Sequence, residues 1–394
     1  MKLLKYILSG MAFIALAPVF SSCNDDDFHE TIFPDVPTTA DPNSKTYKFD
    51  TWLNQNFRDP YNLTFIYKME DVEIDKNYNL VPATYETAVD LALLVKYTWF
   101  DAYKEVAGVD LLKGNGPRML MLVGSAAHDA TQGTETLGLA EGGVKITLFK
   151  VNSMDLSDQL RLNEYYFRTM HHELSHILHQ TRSYPQEFNL LSNGHYDSSN
   201  WQDRNGGLVL SLGFPTSYAS SEFREDFAET IANYITRSPE QYAFMKWCAA
   251  RGWYSGEDEL DQSKAYCYYF YASEEDKAED KKTYTLEFGD DGSGLMKVFD
   301  QYGLGYSTVE EVEQYLADLK EEVGEANVIA VEDNDKIDGV DILERKLKIA
   351  KDWLADEWKV DLDRLRDEVQ RRQKDFNIEE LRNEIENVVE TPAQ

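Results

Sequence analysis

The chain has 394 residues, with 39 basic and 71 acidic side chains and a formal net charge of −32 at pH 7. Such an acidic surface excludes nucleic acid as a partner, because nothing offsets phosphate repulsion. An apolar content of 42% with 13% aromatics supplies a sizeable core and excludes wholesale disorder.

In chain order, the first element is a leader. Lys2 and Lys5 precede an apolar run of 14 residues, 7–20, too short to span a bilayer and suited to a signal-peptide core. Residues 1–22 therefore read as a signal peptide. Residues 23–45 are acidic, Pro-bearing and patternless, and read as a tether. From residue 46 the chain looks continuously folded. Val89, Leu91, Leu93, Leu94, Tyr97, Phe100 and Tyr103 recur at helical spacing, while the apolar run at 118–125 and the segment 142–151 read as strands. The second strand is expected to offer its edge to an extended peptide. A long helix is expected over 157–180, an irregular segment over 181–220, and a second helix over 221–237. Irregular segments of that length inside a folded region tend to be functional. Residues 46–270 form the expected core, and 271–394 a mainly helical region packed on it as part of the same unit. Helices interleaved with short strands make the class α+β.

Ser21 and Ser22 before Cys23 resemble a bacterial lipobox, although Phe20 stands where leucine is usual. The cluster Asn24-Asp25-Asp26-Asp27 resembles the surface-export signal of Bacteroidetes lipoproteins. These resemblances imply lipidation of Cys23 and an outer-membrane protein facing the cell surface, held to the membrane only by its anchor. Cys248 and Cys267 are then the remaining cysteines, and 19 positions of separation leave their pairing open. The stretch DNDKIDG fails as a calcium loop, since Lys336 and Arg345 occupy ligand places.

Four of the seven histidines fall within MHHELSHILHQ at 170–180. His172-Glu173-Leu174-Ser175-His176 is an HExxH, and on a helix positions i and i+4 stack on one face, so both imidazoles can converge on one Zn²⁺. Glu173 lies beside that point, placed as a base rather than as a ligand. A zinc hydrolase takes three protein ligands and keeps its fourth position for water. Arg182 stands where a metzincin has its third histidine, which excludes that arrangement. His179 shares the helix face but reads as a supporting or packing residue. The downstream EFREDFAETIANYI offers Glu225 and Glu229, again i and i+4, flanked by the small Ala228 and Ala232. Glu225 reads as the third ligand and Glu229 as the acceptor for the other N–H of a ligand histidine. Glu222 and Asp226 compete for the ligand place, Asp226 more weakly because it points about 100° away from Glu225.

HExxH followed by the Glu225…Glu229 pair on a later helix resembles the gluzincin arrangement of lethal-factor-type metallopeptidases. That resemblance implies that Tyr218, seven residues before Glu225, stands over the metal and steadies the tetrahedral intermediate. The leader, residues 52–68, the HExxH, EDFAE and the late KLKIAKDWLADEWKVDLDRLRDEVQRR are together similar to one family. It comprises zinc-binding metallopeptidases of Bacteroidetes, also called substrate import-associated zinc metallohydrolase lipoproteins. The resemblance implies a zincin-like fold with a small mixed sheet and one zinc ion. It implies a peptide, protein or glycopeptide substrate processed at the surface before uptake. It also implies the company of a TonB-dependent receptor and its substrate-binding lipoprotein. A substrate-binding or docking lipoprotein with a non-catalytic zinc site is the alternative.

Overall fold

The structure is a computed structural model that describes residues 40–68, 80–128, 135–136, 138–141, 145–255, 264–290, 295–332 and 336–388. The expected signal peptide, Cys23 and most of the tether lie outside the described residues, as do residues 142–144 of the second expected strand.

One layer is a four-stranded sheet built from β1 (Thr64–Ile66), β2 (Met119–Leu122), β3 (Gly138–Glu141) and β4 (Lys145–Leu148). Its order is β1-β2-β4-β3, with β1, β2 and β4 parallel and β3 antiparallel to β4. Parallel strands are covered on both faces, so they read as short apolar runs. Leu120, Leu122, Ile146 and Leu148 are accordingly buried. The expectation that the strand at 142–151 offers an edge is corrected here. β4 is hydrogen-bonded on both sides, to β2 and to β3, and the edges belong to β1 and β3.

Three long helices, α1 (47–61), α2 (85–107) and α3 (159–181), cover this sheet. Each contains one wide π turn, at Asn54–Arg58, Val95–Phe100 and Asn163–Phe167. The carboxylate of Asp158 caps the start of α3 by accepting from the Arg161 N–H at 3.0 Å. α3 stops at Thr181, four residues before Pro185. The expected 181–220 segment is irregular but holds the short helices Glu187–Leu191 and Gly206–Ser211. Next come α4 (Phe223–Thr236), which packs directly on α3, and α5 (Pro239–Ala249), opened by a Ser238/Gln241 capping box.

A second sheet follows, which the sequence reading missed. β5 (Tyr266–Phe270), β6 (Thr283–Asp290), β7 (Met296–Phe299), β8 (Gly305–Tyr306) and β9 (Val328–Ala330) form an antiparallel sheet of order β8-β7-β6-β5-β9. Residues 271–394 are therefore not mainly helical over their first third, and the expected division at 270 runs between the paired strands β5 and β6. The physical reason is local. β5 is short and tyrosine-rich, which suits a half-buried pleated surface, but SEEDKAEDKK between β5 and β6 has the charge pattern of a solvated helix. α6 (Val309–Val323) packs on the sheet through Val312 and Leu316, in a core shared with Phe244, Cys248, Cys267 and Leu286.

The last helices, α7 (Gly339–Trp358), α8 (Leu362–Asp375) and α9 (Ile378–Glu386), return to the first core. Leu347, Trp353, Leu365, Val369 and Ile385 join the same apolar cluster as Met170, Leu174 and Phe227 of α3 and α4. Arg382 of α9 meets the nearly buried Asp90 of α2 at 2.7 Å.

Cys248 and Cys267 are buried and unpaired, and burial pushes both thiols up. Both therefore behave as small apolar core residues. Thiol titration of the folded protein is expected to detect neither of them, and titration in denaturant to detect both without reductant. A disulfide-linked peptide in a non-reducing digest contradicts this.

Candidate metal centre

The histidine helix and the glutamate helix meet where α3 lies against α4. Ala228 and Ala232 are fully buried between neighbours, and their lack of side-chain bulk lets the two backbones come close. α3 presents His172 and His176 on one face, and α4 presents Glu225 and Glu229 on the face opposite.

His172 Nε2 and His176 Nε2 lie 2.9 Å apart, and Glu225 Oε2 lies 3.0 Å from the first and 3.2 Å from the second. Among the described residues these three are the group of histidine, cysteine and carboxylate side chains with ligand atoms gathered closely enough to hold a metal. A tetrahedral zinc with bonds of about 2.0–2.1 Å spaces its ligand atoms by about 3.3 Å, so the cluster needs to open by only a few tenths of an ångström.

The outer nitrogens are tied down. His172 Nδ1 is 2.8 Å from Glu229 Oε1, and His176 Nδ1 is 2.8 Å from His179 Nε2. Burial, with the charges of His176 and Arg224, holds His179 at about 4, so it is neutral and able to accept from His176 through Nε2. Both Nε2 atoms are thereby turned toward the Glu225 carboxylate. Three electron-rich atoms at one point require a positive charge between them. Without a metal, a proton fills that role. Burial disfavours the imidazolium, but hydrogen bonds to Glu225 and Glu229 outweigh it and raise His172 to about 10. Metal binding must displace that proton.

The carboxylates are held charged. Burial opposes ionisation of Glu225, yet the two histidines keep it well below the usual carboxylate range. Burial likewise opposes ionisation of Glu229, and His172, Arg168 and Thr216 together bring it to about 2. Glu229 Oε2 accepts from Thr216 Oγ1 at 2.7 Å and from Asn233 Nδ2 at 3.1 Å. Sequence reasoning missed both partners. Asn233 was discoverable, four residues after Glu229 on the same helix face, whereas Thr216 carries no local signal.

Glu173 is half-buried beside the cluster, and burial raises its pKa against the opposing pull of His172 and His176. The Tyr218 ring stacks on His172, with centroids 5.8 Å apart and planes at 30°. Burial and a hydrogen bond with the charged Glu225 push its hydroxyl upward. Trp201 braces Tyr218 from the side, 4.9 Å between centroids.

Other sequence candidates go elsewhere. Glu222 is the exposed residue preceding α4. Asp226 is fully buried on another side of α4, 2.6 Å from Lys346. His171 turns into the core, 2.9 Å from the Tyr103 hydroxyl. Arg182 bonds to Glu357 and stacks on Trp358 at 4.6 Å, fastening the end of α7.

Zinc content gives a direct check on the ligand set. Glu225→Ala is expected to lose the metal and Glu222→Ala to keep it. Glu229→Ala should weaken zinc binding by about 10- to 100-fold, because the His172 ring loses its anchor. Chelator competition measures all three.

Residues 42–276 match the family described as "Putative zinc-binding metallo-peptidase". Among solved structures, the chain is similar to one from Bacteroides caccae described as a putative zinc-binding metallo-peptidase. The two share 30% sequence identity with a TM-score of 0.56, over 89% of this chain and 97% of that one. No curated protein matches. With its family match extending over more than half its length, the chain belongs to the zinc-binding metallopeptidase family so described.

Proposed function

We propose that the chain is a gluzincin-type zinc peptidase that hydrolyses peptide bonds in a peptide, protein or glycopeptide. The observation that carries this reading is the company around His172, His176 and Glu225. A half-buried Glu173 with a raised pKa lies on one side, and Tyr218 stacks over His172. A purely structural metal site needs neither.

Held by His172, His176 and Glu225, a zinc ion supplies Lewis acidity toward a carbonyl group and toward water. Glu173, whose raised pKa brings it nearer the working range of a base, accepts the proton of the attacking water and delivers it to the departing amine. The Tyr218 hydroxyl stays protonated and donates to the oxyanion that develops on the carbonyl oxygen. Glu229 and His179 orient the two imidazoles. The outer edge of β3, one of the two edge strands of the first sheet, would offer an extended substrate its hydrogen-bonding groups.

The leader supports a location outside the cell. In this reading Cys23 is lipidated, the acidic segment after it directs the protein to the outer face of the outer membrane, and cleavage prepares substrate for a TonB-dependent importer and its binding lipoprotein. A lipoprotein that only binds substrate is the competing reading.

Glu173→Gln is expected to keep zinc while lowering kcat/KM on a cleaved peptide by at least about 100-fold, and Tyr218→Phe to lower kcat by a comparable factor. Because the folded-state pKa of Glu173 is raised, activity should climb as pH rises through a midpoint above the ordinary glutamate value, and Glu173→Gln should remove that limb. Zinc-loaded wild type that cleaves nothing in a broad peptide library supports the binding reading instead. Palmitate label on the protein should disappear with Cys23→Ala and with inhibition of lipoprotein signal peptidase; persistent label defeats the anchor assignment.

A further inference from the structure

Lys346 is the only lysine among the largest fully buried side chains of the described residues. It projects from α7, outside the family-matched span 42–276, and reaches the back of the metal centre. Its ammonium lies 2.6 Å from Asp226 Oδ2, with both side chains fully buried. It also donates to the Gly213 carbonyl oxygen at 2.7 Å and sits 4.2 Å from the centre of the Phe214 ring. Tyr196 gives Asp226 Oδ2 a further hydrogen bond at 2.8 Å.

The two acceptors belong to the two segments that build the site opposite the histidines. Asp226 follows Glu225 on α4. Gly213 and Phe214 lead into Thr216, which bonds Glu229, and Tyr218, which covers His172. α7 is seated closely enough to act on them. A Cβ on Gly213, at φ +79°, would lie 2.3 Å from Ile342, and one on Gly339 would lie 2.6 Å from the carbonyl oxygens of Leu210 and Ser211. Only glycine allows these approaches.

A buried ion pair is weak evidence for stability, since apolar side chains of similar volume often do as well. What an ammonium offers beyond bulk is directional donors, which fix the distance between two acceptors. We propose that Lys346 is a positioning residue of the metal centre. By bridging Asp226 and the Gly213 carbonyl, it sets the placement of Glu225 and of the Tyr218 segment relative to each other. The C-terminal region is thereby part of the site. The Tyr218 half of this proposal rests on the peptidase reading, and the Glu225 half requires only zinc binding.

The test uses the full chain with Lys346→Met alone and with the charge-free pair Lys346→Met/Asp226→Leu, in which no buried charge is left unpaired. Thermal melting, zinc affinity by chelator competition, and the effect of Tyr218→Phe on kcat are measured in each background. The single variant should melt lower. The charge-free pair should melt close to wild type, yet bind zinc about tenfold more weakly and lose most of its response to Tyr218→Phe. A folded charge-free pair with wild-type zinc affinity and a full Tyr218→Phe response overturns the proposal and leaves the pair a structural one. Wild type that binds zinc but cleaves nothing defeats the peptidase reading instead, and zinc affinity alone then decides the role of Lys346.

Discussion

The carboxylate of Glu229 joins three parts of the chain that are far apart in sequence. One oxygen takes the Nδ1–H of His172 on α3, and the other takes Thr216 from the segment before α4. Its own helix contributes Asn233. Because the group is buried and charged, it tolerates none of these partners being absent. The orientation of the His172 ring, the spacing of α3 from α4 and the path of the Tyr218 segment are consequently one constraint. Moving any of them leaves a buried charge under-bonded.

That constraint explains why the site is rigid on one side and accessible on the other. His172 is nearly buried, whereas Glu225 is partly open and Tyr218 is 37% exposed. The interior side carries the hydrogen bonds that hold the ligand side chains, and Glu225 and Tyr218 face outward. The acidic character of the whole chain does not reach into this arrangement. Locally, Arg168 offsets part of the charge of Glu229, and Lys346 that of the neighbouring Asp226.

Much of the site was legible because it is written in local repeats. His172 and His176, and Glu225 and Glu229, are pairs at helical spacing, so one face of each helix could be read directly. Of the first sheet, β2 was legible as a short apolar run and β4 within an alternating segment, while β1 and β3 carried no signal that was read. What stayed hidden depends on partners distant in sequence. Asp226 reads as a weak ligand candidate from its direction on the helix, and nothing near it announces Lys346, which sits in KLKIAKDWLADEWK among other lysines. Thr216 lies in a stretch without periodicity. The second sheet was overlooked because the charged sequence around its strands reads as solvated; pairing among β5, β6 and β7 is what makes them strands.

The π turn at Asn163–Phe167 divides α3 into two stretches with different obligations. Upstream, Leu162 must enter the core; downstream, His172 and His176 must face α4. In an uninterrupted helix each residue rotates the chain by about 100°, so both requirements would be locked to a single count of residues. The wider turn holds an extra residue, and Asn163 is secured there by hydrogen bonds to the Thr236 carbonyl and from Gln373. The turn acts as a phase adjuster between the two stretches. The packing of the upstream half and the aim of the two histidines are thereby set separately, each by its own count of residues.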